Sequence, residues 1–398
     1  MLKRTLLGGL LTVLMISGVF VFKAWANPDV SVTAATGGTG ISIDTTSASG
    51  GSHTGTTLGN IIITEGAVGD IGLGSHTFTV PAGWNFTSDF VTIAVGGATD
   101  LTVGNISINS IDGTTLSFNV NHISTTGTAT LTFSGIKVHP TGTTVLSAAD
   151  ITHSGASILG VSGSTNFGTL STMHGTATKY VVIDPTDGTV AAPVTVTVQL
   201  QDQFGIVVTT GADKDKDVTL ATNGSATGGG VVNIANGVGT RDISDTVAET
   251  VTLSLNTPVL VGADVTSTQN LVFAAGAANH AHVTAITDPV VAGVASDVTV
   301  TIHDVNSNVA TSYTGTVHFT STDAQAVLPS DYAFVSGDNG VHTFTGGVTM
   351  KTSGEQTVTA TDTVTGTING TQADVTVTHA VANKVLFLIR PMVQLMLI

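Results

Sequence analysis

The chain contains no cysteine, which excludes disulfides, zinc–thiolate sites and cysteine nucleophiles. Charged residues occupy only 10% and aromatic residues only 5% of its 398 positions. Long amphipathic helices need the Lys, Glu, Arg and Leu that are scarce here, whereas the abundant Thr, Val and Ile suit a pleated surface. These absences predict an all-β fold in which each domain is large enough to hold its core by burial alone.

Basic residues are scarce as well: 11 Lys and Arg stand against 27 Asp and Glu, and the formal net charge is −16. Loss of residues 1–26 would remove Lys3, Arg4 and Lys23 but no acid, and would lower that charge by three, to −19. Binding to phosphates or anionic lipids needs clustered Lys and Arg. The charge therefore excludes nucleic acid as a partner and suits solubility outside the cell.

The first 26 residues have the pattern of a secretory signal peptide. Lys3 and Arg4 precede an apolar run from Leu6 to Phe22, and Ala24-Trp25-Ala26 supplies the small residues that a signal peptidase reads. We predict cleavage after Ala26; the alternative is an uncleaved membrane anchor. Both alternatives place the rest of the chain outside the cytoplasm, either secreted or at the cell surface.

Nearly the same phrase occurs twice, VTVTVQLQDQFG at residues 194–205 and VTVTIHDVNSN at residues 298–308. In both, aliphatic side chains alternate with polar ones, which is the pattern of a strand with one buried face. Asp202 and Asp304 then occupy the same place before a turn. The pattern predicts two Ig-like β-sandwich repeats of roughly a hundred residues, at 173–275 and 276–380.

Later segments extend the repeat. Ile234–Val238 and Phe344–Val348 each carry two turn residues between short apolar runs and are predicted as matching hairpins. Thr250–Leu253 and Thr357–Ala360 match as a late strand. Ala382-Asn383-Lys384 resembles the start of both copies, so residues 381–398 are predicted as the truncated start of a third repeat. The alternative is a native C-terminal strand that caps the last domain.

Residues 27–172 do not align with the repeats and are predicted as a separate N-terminal β-sandwich module. Asn60–Thr64 and Thr77–Val80 are predicted strands. Leu116–Val120 and Ala129–Phe133 are predicted as an antiparallel pair, which Gly135–Val138 continues. The Gly/Ser/Thr-rich stretch Thr36–Gly55 is predicted as a mobile lead-in.

Several segments resemble a known family. Tyr313–Ser321, Leu328–Tyr332 and Asp338–Phe344 resemble the Ig-like repeats of large bacterial surface and adhesin-type proteins. Gln201–Gly205 resembles the D-x-x-G turn of the invasin/intimin-type domains. The resemblance implies tandem, extracellular, mostly structural modules without catalytic residues. The N-terminal module only loosely resembles cohesin-like or surface-layer sandwiches, and no partner follows from that.

The run Asp213-Lys214-Asp215-Lys216-Asp217 is the first candidate metal site. In an extended segment the Asp213, Asp215 and Asp217 carboxylates share one side and could hold calcium. The lysines compete for these carboxylates, so a solvated loop is the prediction and calcium the alternative. Calcium between domains is a second alternative, carried by four acidic residues near the predicted junctions that are also ordinary turn formers: Asp184, Asp187, Asp288 and Asp304.

No catalytic residue and no cofactor are predicted. His280 and His282 lie two apart on a strand and face the same way, but no third metal ligand is evident, so exposed strand histidines are expected. The only glutamates, Glu65, Glu249 and Glu355, are too far apart in sequence to indicate a paired acid and base. Four aromatic residues could stack on sugars if exposed, but are expected mainly in cores: Trp84, Phe86, Tyr313 and Tyr332.

Two classes of function fit these observations. The first is a non-catalytic rod of β-sandwiches that spaces or presents a binding module at the bacterial surface, with an extracellular protein or glycan as partner. The alternative is a carbohydrate- or protein-binding module of a larger secreted enzyme or surface-layer protein. With either function, we expect attachment to a membrane only through an uncleaved leader or through an anchor absent from the sequence.

The carboxylate pattern generates a first testable prediction. Because the lysines neutralise the Asp213–Asp217 run, neither adding calcium nor chelating it should change the melting temperature appreciably, as measured by differential scanning calorimetry. A rise of many degrees on adding calcium would contradict the solvated-loop interpretation.

Overall fold

The computed structural model describes residues 9–16, 19–26, 30–45, 55–87, 91–98, 100–108 and 113–381. Within these ranges the regular elements are strands, apart from two short turns of 3-10 helix at Ile43–Thr45 and Ser336–Asp338. The predicted all-β class is thereby confirmed. The segment predicted to start a third repeat lies, from residue 382 onward, outside the described residues.

The predicted leader forms a backbone hairpin. Strands β1 (Gly9–Ile16) and β2 (Val19–Ala26) pair antiparallel along their whole length. Among the described residues no helix is long and apolar enough to cross a membrane. Cleavage after Ala26 and the uncleaved anchor both stay predictions.

The N-terminal unit is built from short strands in several sheets. These are β3 (Ser31–Thr33), β4 (Ile41–Ser42), β5 (Thr56–Thr57), β6 (Ile61–Thr64), β7 (Gly74–Thr79), β8 (Trp84–Phe86), β9 (Thr92–Gly97), β10 (Thr102–Val103), β11 (Ser107–Ile108), β12 (Thr115–His122), β13 (Ala129–Ser134), β14 (Lys137–Pro140), β15 (Ala149–Asp150), β16 (Thr152–Gly155), β17 (Thr169–Leu170) and β18 (Thr172–Met173). The two main sheets have the orders β10-β12-β7-β16, with β11 on β12, and β3-β6-β13-β9. Smaller sheets join β5-β14-β8, β15-β17 and the parallel pair β18-β4.

The two main sheets face each other across an aromatic core. Phe118 on β12 meets Phe133 on β13 edge to face, with ring centroids 4.9 Å apart. The predicted pairing of these two strands is therefore wrong: β12 pairs with β7, and β13 pairs with β6 and β9. The continuation is wrong too, because β14 belongs to a third sheet. Alternation identifies a strand with one buried face but does not say which sheet lies opposite.

The predicted mobile lead-in is also partly wrong. Ile41 and Ile43 are buried, and β4 pairs with β18 from the far end of the unit. Aliphatic side chains within a polar stretch are enough to hold that stretch against a core. The rest of the stretch, 46–54, lies outside the described residues.

Both repeats contain the same eight strands in the same order. In the first they are β19 (Ala177–Val182), β20 (Gly188–Thr189), β21 (Val194–Asp202), β22 (Val218–Thr222), β23 (Gly230–Val232), β24 (Val238–Ile243), β25 (Thr250–Asn256) and β26 (Thr268–Ala274). In the second they are β27 (His280–Thr284), β28 (Val290–Val291), β29 (Ala295–His303), β30 (Thr316–Ser321), β31 (Tyr332–Ala333), β32 (Val341–Thr349), β33 (Gly354–Asp362) and β34 (Asn369–Thr378).

Each repeat is an Ig-like sandwich of a three-stranded and a five-stranded sheet. The sheets are β19-β21-β24 with β20-β26-β25-β22-β23, and β27-β29-β32 with β28-β34-β33-β30-β31. The repeated phrase supplies β21 and β29, whose alternate side chains are completely buried: Val196, Val198 and Leu200, and Val298, Val300 and Ile302. The chain has three separate hydrophobic clusters among its described residues, one inside each predicted unit. The exact boundaries between the units stay predictions. Strand β18 (Thr172–Met173) crosses the predicted boundary between the N-terminal unit and repeat 1.

The predicted hairpins differ between the repeats. Asn236 and Gly237 form the expected turn, both with positive φ. In the second repeat the equivalent turn is Asn339-Gly340, with φ of 49° and 78°. Gly346 and its neighbour instead lie inside β32, so the predicted hairpin there is wrong. The Gly346 amide donates to Asp297 Oδ1 at 2.7 Å, where the register with β29 shifts by a bulge.

Two histidines are hydrogen-bonded beside the N-terminal core, one buried and the other half-buried. His76 is fully buried, and its Nε2–H donates to the Gly72 carbonyl at 2.8 Å. Its Nδ1 must then accept from His153 Nε2, 3.1 Å away. Burial lowers the pKa of His76, and burial together with the His76 charge lowers the pKa of His153 to about 4. The hydrogen-bonded pair is thus neutral in the fold.

This pair predicts a loss of stability in acid. Between the ordinary histidine pKa of 6.5 and about 4, the unfolded chain binds protons that the fold does not, so stability falls as the pH is lowered through that window. We expect the melting temperature of the N-terminal unit to fall by several degrees from pH 7 to pH 5. Fluorescence of the buried Trp84, with Trp25 replaced by Phe, measures this.

The control is His153→Gln, whose amide can still donate to His76 Nδ1 but does not titrate. In His153→Gln the melting temperature of the N-terminal unit should fall less between pH 7 and pH 5 than in the native chain. In His318→Gln, which changes an exposed histidine of repeat 2, it should fall as much as in the native chain. An unchanged pH dependence in His153→Gln would contradict the assignment.

Candidate functional site

In both repeats the strand of the repeated phrase leads into a completely buried carboxylate, Asp202 or Asp304. Each follows the last inward-facing aliphatic residue of its strand, at the end of the sandwich where the preceding unit attaches. A buried carboxylate is costly unless it is hydrogen-bonded on both oxygens. Its partners therefore show what the aspartate does.

Asp304 accepts hydrogen bonds from two directions. Its Oδ1 accepts from the backbone amides of Asn306 and Asn308 in the turn that follows, at 2.8 and 2.9 Å. Its Oδ2 accepts from Gly276, in the linker between the repeats, at 2.8 Å. Burial alone would raise the pKa of Asp304, but these bonds, with that from the Asn308 side chain, outweigh it and lower the pKa. The charged side chain thus fastens the linker to the turn.

Asp202 repeats this arrangement one unit earlier. Its Oδ1 accepts from the amides of Phe204 and Ile206, both at 2.9 Å, and its Oδ2 accepts from the linker amide of Gly175 at 2.7 Å. A Cβ on Gly175 would lie 2.1 Å from Asp44 Oδ1, so a larger residue there would displace the Asp44 side chain. The linker glycine and the strand-end aspartate therefore form a repeated device, which we call the joint clasp.

Further hydrogen bonds cross each joint next to the clasp. At the first joint Asp44, in the N-terminal unit, accepts from Thr176 N at 2.6 Å and from Gln203 Nε2 at 3.1 Å. At the second joint Asn308 accepts from Ala248 N at 2.8 Å and donates to the Thr246 carbonyl at 2.9 Å. The two joints use different side chains but attach to the same turn of the following sandwich.

The structure does not bring Asp213, Asp215 and Asp217 together as calcium ligands. Asp215 pairs with Lys214 Nζ at 2.6 Å and accepts from Asn236 N at 2.9 Å. That lysine contact and the amide lower the pKa of Asp215. Asp217 accepts from Ile234 N at 2.9 Å, whereas Asp213 borders a recess at the first joint with His174. The two carboxylates fasten a neighbouring loop; the absence of calcium stays a prediction.

The acidic residues near the junctions have separate structural partners. Asp187 and Asp288 occupy equivalent positions and accept from the last strand of their own repeat, at Val272 N and Thr376 N, both at 2.9 Å. Asp184 is exposed in the loop after β19. Asp304 serves the clasp, so its oxygens are already occupied by N–H donors.

The three glutamates lie in three different units, and the four aromatic side chains singled out above pack in or against hydrophobic cores. Glu65 is buried and accepts from Ile71 N, Ala129 N and Ser124 Oγ. Glu249 lies in repeat 1, far from Glu65, and accepts from Ser225 N of the same repeat. Trp84, Phe86 and Tyr313 are buried in cores, and Tyr332 is half-buried and stacks on His342. These side chains serve packing and loop attachment.

The histidines differ from the expectation in one respect. His280 and His282 lie on the outer face of β27, as predicted, but His303 on β29 is paired directly opposite His280. The His280 and His303 rings stack with centroids 5.4 Å apart, and those of His282 and His303 are 6.1 Å apart. Sequence analysis missed His303 because it lies on another strand; the repeated phrase, which places it immediately before Asp304, was the available signal.

Comparisons with known proteins give structural neighbours only. No protein-family profile and no curated protein sequence matches the chain. The solved Escherichia coli adhesin FdeC aligns over 88% of this chain and 96% of its own, at 14% identity and TM-score 0.40. The alignment with the D0-D1 domain of intimin covers 50% of this chain and 97% of that domain, at 16% identity and TM-score 0.21. The alignment with the S-layer protein rSbsC covers 90% of this chain and 55% of that protein, at 12% identity and TM-score 0.24.

All three alignments combine low identity with a low TM-score. The Ig-like assignment therefore rests on the sheets and cores described above, and no function is transferred from these neighbours.

The clasp predicts the effect of Asp304→Asn. The amide that replaces one carboxylate oxygen would point N–H groups at the N–H donors of the linker or the turn, leaving buried groups unpaired. We expect repeat 2 to lose about 2 kcal/mol of unfolding free energy, with faster hydrogen exchange at the Gly276 amide. Calorimetry and NMR-detected exchange measure the two effects.

The matched control is Asp331→Asn, because the Asp331 side chain is 55% exposed and pairs only with His318 among the contacts described. It should leave both quantities unchanged. Equal stability of Asp304→Asn and the native chain would show that the clasp does not hold the joint.

Proposed function

We propose that the chain is a non-catalytic extracellular protein of structural and adhesive type, in which Ig-like sandwiches space or present a binding module at the bacterial surface. The observation that supports this most directly is the joint clasp. A buried aspartate fixes the linker to the following sandwich at both junctions through the same three backbone amides. A protein whose work is to hold units at a set spacing needs this kind of joint.

Restricting the linker has a physical consequence for reach. When flexible linkers join the units of an array, each joint can point in many directions. The mean end-to-end distance of the array then grows only slowly with the number of units. A linker whose backbone amide is bound to the next unit loses that freedom before any load acts. The spacing between the ends then grows in proportion to the number of sandwiches.

The strand order of each repeat also favours resistance to a pulling force. The short strands β20 and β28, near the entry of each repeat, pair parallel with the last strands, β26 and β34. When the ends of a sandwich are pulled apart, two parallel strands slide along each other and their hydrogen bonds must break together. An arrangement in which the bonds open one after another would yield at lower force.

The composition supports a location outside the cell and a protein or glycan partner. The chain lacks cysteine, carries a leader-like segment and is strongly acidic. Several buried carboxylates, among them Glu65, Asp202 and Asp304, accept hydrogen bonds from backbone amides, which supports a structural role for them. The N-terminal unit, which differs from the repeats, is the module presented; a role within a larger secreted enzyme or surface-layer protein is the alternative.

Small-angle scattering tests the spacing function. The native chain should scatter as one elongated particle with a narrow distribution of maximum dimensions. Asn308→Ala removes both bonds from the second joint to residues 246 and 248, together with the donation from the Asn308 side-chain amide to Asp304, and should broaden that distribution. Scattering by the native chain as freely jointed units would contradict the proposal.

Binding of the full chain to glycan arrays and to host-cell surfaces tests the adhesive part. Binding that is lost when loops of the N-terminal unit are substituted, but kept in Asn308→Ala, would assign recognition to that unit. Hydrolysis of a bound glycan would instead favour the enzyme alternative.

A further inference from the structure

Three histidines gather on the outer face of repeat 2, beside the second joint. His280 and His282 come from β27, and His303 comes from the neighbouring strand β29. Together with Ala281 and Ser307 they line a shallow recess of about 290 Å³. His282 is exposed and the other two are half-buried, so all three rings can be reached from solvent.

Two of the rings are held in the form that a metal requires. His303 Nδ1 lies 3.0 Å from the Ser307 carbonyl, which can only accept, so this nitrogen carries the proton and Nε2 keeps its lone pair. His280 Nδ1 lies 3.4 Å from Asn279 Oδ1 and is oriented in the same way. Histidines that bind metals commonly donate their other N–H to a carbonyl or carboxylate oxygen, which orients the ring.

The ring spacing suits a single ion. With a zinc–nitrogen bond of about 2.1 Å, an imidazole centroid lies about 3.2 Å from the metal, and two such rings at tetrahedral angles are about 5.2 Å apart. The observed separations from His303 are 5.4 Å to His280, with the ring planes 17° apart, and 6.1 Å to His282, with the planes 55° apart, so the distances suit one ion but the rings must turn to face it. As the side chains stand, no group of three or more His, Cys, Asp or Glu among the described residues is placed to hold a metal ion, and the three histidines must move to do so. The exposed His282 ring can rotate within nanoseconds, and the half-buried His280 and His303 rings must adjust their positions to share one ion with it.

We propose that His280, His282 and His303 form a surface site for a divalent transition-metal cation of the zinc class, with water as the fourth ligand. Imidazole nitrogens select Zn²⁺, Ni²⁺ or Cu²⁺ over Ca²⁺ and Mg²⁺, which prefer oxygen. The net charge of −16 attracts cations in general. Bound metal cross-links β27 to its neighbour in the sheet, β29, immediately beside the Asp304 clasp.

Repeat 1 provides an internal comparison. At the equivalent places of the same two strands it carries Lys179 opposite Gln201, with Val181 two residues further along. None of these side chains is a zinc ligand, although the backbone register is the same. The three histidines are therefore a property of repeat 2 and not a requirement of the fold.

The same comparison supplies variants that the fold tolerates. The triple variant His280→Lys, His282→Val, His303→Gln gives repeat 2 the residues of repeat 1. His303→Gln tests the ligand from β29 alone, and His318→Gln is the control at an exposed histidine of β30 that pairs with Asp331.

The experiment is calorimetric titration of the untagged full chain with ZnCl₂ in a non-chelating buffer, with Co²⁺ absorption as a second readout. We expect one saturable Zn²⁺ per chain and a rise of several degrees in the melting temperature of repeat 2. His303→Gln should weaken binding roughly tenfold or more, the triple variant should abolish both effects, and His318→Gln should leave them unchanged.

Two results would overturn the site. One is the absence of saturable Zn²⁺ binding by the native chain. The other is Zn²⁺ binding of native strength in the triple variant, which would place the ion at other histidines. Calorimetric melting without metal confirms that each variant folds, so neither result can arise from misfolding.

Discussion

The burial of one carboxylate at the end of a strand is the constraint on which the joints depend. Asp202 and Asp304 are excluded from water, and their oxygens are satisfied by the amides of the next turn and of the linker glycine. The two sets of donors come from opposite sides, so the turn and the linker are fixed relative to each other. Removing either set would leave one oxygen of a buried carboxylate without its donors, which is more costly than the loss of a hydrogen bond at the surface.

The same turn connects fold, joint and surface chemistry in repeat 2. Ser307, in the turn fixed by Asp304, has a positive φ of 67° and places its carbonyl against His303. Asn308, one residue later, reaches across to repeat 1. A four-residue turn thus fixes the linker, contacts the preceding sandwich and orients a histidine ring. Because one turn has these three roles, a chain made largely of aliphatic and hydroxyl side chains can still have specific contacts at its joints.

Local alternation predicted strands well and partners poorly. The positions of β6, β12 and β13 follow from their apolar periodicity, but β12 and β13 face each other across a core instead of pairing. The turn Asn236-Gly237 was predictable because both residues accept positive φ, whereas Gly346 and Gly347 are at least as permissive but lie at a bulge. Pairing and bulging depend on segments distant in sequence, which a local pattern does not contain.

The sequence by itself determined the all-β class, the absence of thiol chemistry, the acidic surface and the tandem repeat, because composition and period-two alternation are properties of short segments. Only the tertiary structure decided that Asp202 and Asp304 bind the linker glycines, that Asp215 and Asp217 fasten a loop, and that His303 joins His280 and His282. Each of these depends on strands brought side by side by burial of their inner faces, and that register is fixed only when both sheets of a sandwich are in place.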